Sequence, residues 1–129
     1  MTFKLEPSRL SFSGPPSPGD METLWNQLTN MHRSIYFWIG DAAMFGTTMF
    51  GDDHFQFIEE TLSPDLIMRC EKVSRAFPPV KRNPRLSWTH HQLAASIGNE
   101  ILAASALRQA DQHGWNTSRM RQYVKELAS

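Results

Sequence analysis

Ser63 to Pro79 reads SPDLIMRCEKVSRAFPP, and these residues decide the class of fold. Ser63 is a good side-chain acceptor at a helix start, and Pro64 follows at the first helical position, where a missing N–H costs nothing. Leu66, Ile67, Cys70, Val73 and Phe77 then recur at the spacing of one helix face. Pro78-Pro79 stops the helix. Arg69, Lys72 and Arg75 share a second face, with Glu71 off that stripe. The segment is a capped amphipathic helix with an apolar side to bury and a cationic side to present.

The same signals continue toward the C-terminus. After a basic linker, Lys81-Arg82-Asn83-Pro84-Arg85, Ser87 caps a helix expected over about 88–97, with Trp88, Leu93, Ala94 and Ile97 inward. Asn99 starts another, to about His113, and Gly114 suits its left-handed C′ position. Asn116 or Thr117 caps the last helix, with Met120, Val124 and Leu127 on one face.

Toward the N-terminus, Asp52 and Asp53 can cap a short helix over about 53–61. Gly46 to Gly51 reads as a connection. Before it, a helix over about 20–45 is expected, with Asp20 as its cap and Gly40 as a candidate kink. Its stretch from Ile35 to Ile39 is apolar nearly all round, which calls for burial by the rest of the fold or by a second copy of the chain. Residues 1–19 form an arm and a linker. Leu10 and Phe12 alternate as in a short strand, and Ser13 to Gly19 holds three prolines and two glycines, which disfavours a helix there. The fold class is therefore all-α: five or six helices in a bundle over residues 20–129, with a short extended N-terminal arm.

Composition bounds the function. At 129 residues, 40% of them apolar, the chain can bury one core. Cys70 is the only cysteine, so neither an internal disulfide nor a CxxC zinc pair exists. No apolar run reaches the roughly 20 residues of a membrane span, and Met1 to Pro7 has no apolar signal core. A cytoplasmic protein is expected. Net charge is zero, but its distribution is uneven. Residues 1–65 carry three basic and nine acidic groups, net −6; residues 66–129 carry ten and four, net +6. Such a split fits an anionic partner such as nucleic acid, or docking between the halves, or between subunits.

Two segments have helix-turn-helix spacing. The first runs from His54 through the turn at Ser63 to Phe77 and offers Arg69, Lys72 and Arg75. The second runs from Ala104 through Gly114-Trp115-Asn116 to Leu127 and offers Arg119, Arg121, Gln122 and Lys125. A helix so placed can enter the major groove, where arginine reads guanine and other cations grip phosphate. Lys81, Arg82 and Arg85 of the linker could hold phosphate between the two units. Either segment is equally well an ordinary helical hairpin with a solvated face.

His90-His91 is not a metal pair, since neighbours on a helix point apart and no further ligands stand at suitable spacing. One of the two is expected to hydrogen-bond locally, the other to be exposed or near DNA. No phosphate loop, GxSxG or HExxH is present. Neither a catalytic site, a cofactor nor a metal is expected, and Cys70 reads as a core residue.

Leu86 to Ala94, LSWTHHQLA, resembles the "LSwsHHxxvA" segment of small bacterial and phage regulators, including the LmbU-type activators of antibiotic clusters. Trp38-Ile39-Gly40-Asp41 is similar to their "WiGDwL" run, and Phe45-Gly46 through Phe50-Gly51 to the "yGexxYGe" that follows. Val73 to Pro78 resembles "VArrFp", and Ala110 to Arg121 resembles "AxxxgWSvxxLR". The tail is also similar, more weakly, to the helix-turn-helix of ParB-type partition proteins. The resemblance covers about residues 20–125. It implies sequence-specific DNA binding in transcription control, with Arg69, Arg75, Arg119 and Arg121 at the carried-over contact positions and His90 and His91 at the family's histidines. The chain departs from the pattern at Gly46-Thr47-Thr48-Met49-Phe50, which lacks the expected Glu and Tyr, and at Leu62, where a glycine usually precedes Ser63.

The reading is thus a non-enzymatic regulator that occupies double-stranded promoter or operator DNA as a homodimer through Ile35, Phe37, Trp38 and Ile39. The alternative is a protein-interaction module, for example a phage factor docking on a host or regulatory protein.

Overall fold

The computed structural model describes residues 3–51 and 62–129. Among these residues there are five α-helices and one short N-terminal hairpin, an all-α fold. The expected helix at 53–61, and with it the first half of the His54–Phe77 hairpin, lies outside the described residues.

The chain falls into two compact units, one through Arg33 and one from Ser34 onward. In the first, strands β1 (Phe3–Glu6) and β2 (Arg9–Phe12) pair antiparallel with Leu5 opposite Leu10 and Glu6 opposite Arg9. Arg9 closes the two-residue turn by an ion pair with Glu6. Helix α1 (Pro18–Phe50) starts here. Its cap is Ser17 rather than Asp20: the Asp20 N–H donates to Ser17 Oγ and the Ser17 N–H to Asp20 Oδ2, both at 3.1 Å. Asp20 is the third residue of a reciprocal capping box, one turn in from the position assigned to it.

The second unit holds the rest of α1, then α2 (Pro64–Ala76), a 3-10 turn (Pro79–Lys81), α3 (Trp88–Ala95), α4 (Glu100–His113) and α5 (Thr117–Ala128). The caps are those the sequence marks. Ser63 Oγ accepts from the Leu66 N–H, Asn99 Oδ1 from the Leu102 N–H and Asn116 Oδ1 from the Arg119 N–H, while Gly114 ends α4 at φ 63°.

Gly46 to Gly51 is not a connection. Helix α1 runs on to Phe50 and ends on Gly51, whose φ of 71° is the left-handed conformation glycine adopts freely. Gly46 is buried, and that packing overrides its low helix propensity. Gly40 sits within unbroken helix as a close-approach point. A Cβ there would lie 2.2 Å from the Cys70 carbonyl oxygen and 2.3 Å from Ser74 Oγ, so α1 and α2 touch nearly backbone to backbone.

Two clusters form the core of this unit. Cys70, Val73 and Trp88 pack with Tyr36, Phe37, Ile39 and Leu66. Phe77, Leu86 and Met120 pack with a run of alanines (Ala94, Ala95, Ala103, Ala106, Ala110) that lets α3, α4 and α5 approach closely. Phe37 and Ile39 are thus half-buried against this core. Of the four apolar residues assigned to a dimer contact, only Ile35 and Trp38 are exposed, at 39% and 51%. Cys70 is wholly buried, and burial pushes its thiol pKa up, as a core cysteine requires.

Candidate nucleic-acid interface

Helices α3, α4 and α5 pack on one another. Their connections are short. Ser96 to Asn99 joins α3 to α4 in four residues, and Gly98 turns the chain there at φ 76°. Gly114 to Asn116 joins α4 to α5 in three. Helix α3, a four-residue turn with a left-handed glycine and the longer, capped helix α4 thus follow one another closely, with α5 packed against both.

Two histidines hold the entry to this unit. His90 Nδ1 accepts from the Ser87 N–H at 3.2 Å and completes a capping box, while its Nε2–H donates to the Trp115 carbonyl at 2.8 Å. The cap of α3 is thereby tied to the α4–α5 turn. His91 Nδ1–H donates to the Ser87 carbonyl at 2.7 Å, and its Nε2 accepts from the Asn83 N–H at 3.1 Å. Phe37 and Phe77 meet its ring edge-on. Both rings are buried, so neither is exposed or free to approach DNA, contrary to the expectation for one of them. Among the described residues no three metal-ligating side chains cluster.

The outward side of α4 presents Ile101, Arg108 and Gln112, with Ser105 half-buried in the same row. Ile101 is 78% exposed at the N-terminal end of the helix. Beside that end lies an open groove of about 840 Å³ lined by Arg75, Lys81, Asn83, Asn99, Ile101 and Arg108 among others. The groove therefore gathers cations from the end of α2, the 3-10 turn and α4. Lys81 bonds Glu100 at 2.7 Å and lowers the pKa of that carboxyl. Arg85 pairs with Asp111, near the far end of α4. Glu100 and Asp111 are eleven residues apart, about 16 Å of helix, so the basic linker runs along α4.

The other assigned cations have different fates. Arg82 is a structural staple rather than a phosphate grip. Its Nη1 and Nη2 donate to both Asp41 oxygens at 2.9 and 2.6 Å, its Nε donates to the Phe77 carbonyl at 2.7 Å, and its guanidinium lies 4.9 Å from the Phe37 ring centre. The Arg82 guanidinium holds the Asp41 carboxyl below its usual value. Only arginine's planar fork makes all three bonds. Arg82→Lys is expected to cost about 2 kcal/mol of stability, since bonds to charged groups contribute roughly 1.5–3 kcal/mol. Urea unfolding of this variant, Asp41→Ala and the double variant should show a coupling term between the two sites.

Arg119 lies 4.6 Å over the Trp115 ring, which itself meets Tyr123 at a tilt of 47°, and is half-buried. It packs against Trp115 of the α4–α5 turn. Arg121, Gln122 and Lys125 are exposed on α5, and Arg69 and Lys72 on α2. Arg75 bonds Glu71 through Nε and Nη2 at 3.2 and 2.7 Å, so Glu71 belongs with the basic stripe after all. The sequence reading missed Arg108 and the α3–α4 pair. The signal was the four residues Ser96-Ile97-Gly98-Asn99, a glycine followed at once by a helix cap.

The second unit therefore carries two short-linked helices, α3 and α4, of which α4 has an exposed row beside a cation-lined groove. Among known proteins, the chain is 30% identical over 97 residues to the transcriptional regulator NovE of Streptomyces niveus. The aligned part is 74% of this chain and 44% of that protein, so the chain spans less than half the length of its relative. No protein-family description matches the chain, and no solved structure matches it. No helix among the described residues is long and apolar enough to cross a membrane.

Proposed function

We propose that this chain is a DNA-binding transcription regulator in which α3 and α4 form the helix-turn-helix and α4 enters the major groove. One observation carries the reading: the glycine turn at 96–99 sets an exposed Ile101–Arg108–Gln112 row beside a groove lined by Arg75 and Lys81. An arginine on such a helix pairs with guanine, an apolar side chain meets a thymine methyl, and flanking cations take phosphates. The similarity to a transcriptional regulator supports it, as does the likeness of the runs at 38–41 and 86–94 to LmbU-type regulators and of the tail to ParB-type proteins. The protein acts by occupancy in the cytoplasm, without chemistry, and as a homodimer reading two half-sites.

Selection of bound duplexes from a random pool tests this. A preferred sequence should emerge, and binding should weaken steeply with salt. Arg108→Ala should cost about 1–3 kcal/mol on the selected site and relax one base position. Arg75→Ala with Lys81→Ala should weaken all sequences alike. If Arg69→Ala or Arg121→Ala alters base preference while Arg108→Ala does not, α4 is not the reader. No selected sequence and no retention on heparin would favour a protein-docking module.

A further inference from the structure

Helix α1 is apolar on two sides, and the second unit covers one of them. Tyr36, Phe37, Ile39, Gly40 and Ala43 face the core. Roughly opposite, Ile35, Trp38, Phe45 and Met49 are 39, 51, 65 and 58% exposed, with Ala42 exposed between them. Residues 35, 38, 42, 45 and 49 are spaced three, four, three and four apart. That alternation is the a and d positions of a heptad, the period at which two helices wind together and interlock side chains. The DNA reading does not use this face.

We infer that this stripe is a self-association seam, on which α1 of a second copy of this chain packs antiparallel. Two features select a second copy, and a third sets its direction. A heptad stripe is complementary to another helix of the same period, and the chain carries one ready. The stripe and its flanks from Ser34 to Phe50 hold a single charged residue, Asp41, already bonded to Arg82; two copies meet without like-charge conflict, and a charged partner finds nothing to pair with. Side-chain sizes set the direction. In an antiparallel crossing centred near residue 40, Trp38 stands against the partner's Ala42 and Ile35 against the partner's Phe45, so each layer has a similar volume. A parallel register stacks Trp38 on Trp38 and Ala42 on Ala42, one layer overfilled and the next hollow.

Sedimentation equilibrium of the whole chain at micromolar concentration tests the association. A mass of twice 14.8 kDa is expected. Trp38→Gln with Phe45→Gln, both at exposed positions, should raise the dimer dissociation constant on the order of 30-fold or more with unchanged helix content. A monomeric parent, or a dimer indifferent to the double substitution, overturns the seam. Direction is read by oxidative cross-linking, with the buried Cys70 left in place. Mixed Ile35→Cys and Phe45→Cys copies should link to each other, and Trp38→Cys copies should not; preferential Trp38→Cys homodimers overturn the antiparallel order. These readouts contain no DNA: a monomeric parent would remove the two-half-site part of the regulator proposal while leaving DNA binding through α4 to its own test, and failure to bind DNA leaves the seam standing.

Discussion

Gly40→Ala is expected to destabilise the protein by about 3 kcal/mol, the reverse of what helix propensity alone forecasts. In the middle of a helix, alanine should gain roughly 1 kcal/mol over glycine. Here the added methyl would sit 2.2 Å from the Cys70 carbonyl oxygen, 2.3 Å from Ser74 Oγ and 2.7 Å from the Cys70 carbonyl carbon. The Ser74 side chain could turn away, but two of the three atoms are α2 backbone and cannot. Helix α2 would have to retreat from α1, which opens the cluster of Cys70, Val73 and Trp88. Overpacking typically costs about 1–3 kcal/mol, and separating two helices adds lost burial, so the clash outweighs the propensity gain. Urea unfolding measures the difference. Gly14, with nothing within 4 Å of its Cβ direction, is the control, and Gly14→Ala should change stability by less than about 0.5 kcal/mol. A Gly40→Ala protein as stable as the parent would mean that the two helices do not meet at this point.

What could be read from the sequence and what could not divides along the range of the interaction. Ser63, Ser87, Asn99, Gly114 and Asn116 mark helix ends within four residues of themselves, and the structure uses each as marked. Asp20 was misplaced by one turn because Ser17, before Pro18, is an equally good cap. Gly46 to Gly51 looked like a loop because glycine and threonine are poor helix formers, yet the helix runs on through a buried Gly46 to Phe50, and only Gly51 ends it. Phe37 and Ile39 seemed surplus to one domain until α2 and α3 covered them. At the candidate site, local composition gave the cations but not their partners. Arg82 finds Asp41 across forty-one positions and Arg85 finds Asp111 across twenty-six, separations at which no spacing rule operates. What distinguishes Arg108 from Arg82 is therefore geometry: the first faces an open groove, the second is bonded on three nitrogens.

His91→Ala should be about as damaging, near 4 kcal/mol, and should also change how stability depends on pH. The ring is wholly buried and joins α3 to the linker by one donated and one accepted bond. Its removal leaves the Asn83 N–H without its acceptor, at about 1–3 kcal/mol for a buried group. It also empties the space between Phe37 and Phe77, and a cavity of that kind adds a comparable cost. Burial lowers the pKa of the ring below its ordinary 6.5, and Nε2 can accept from Asn83 only while it carries no proton. The unfolded chain takes up a proton below about pH 6.5 and the native chain does not. Stability is therefore full above that pH and falls on acidification, until the native ring itself titrates. Asp41, also lowered, acts separately and only below its ordinary value of 3.8. Unfolding free energies at several pH values between 7.5 and 5 for the parent and for His91→Gln should diverge, with the parent losing stability and the variant, already weaker, losing less. Parallel curves would mean that His91 titrates alike in both states, and that the linker along α4 is not held by a neutral ring.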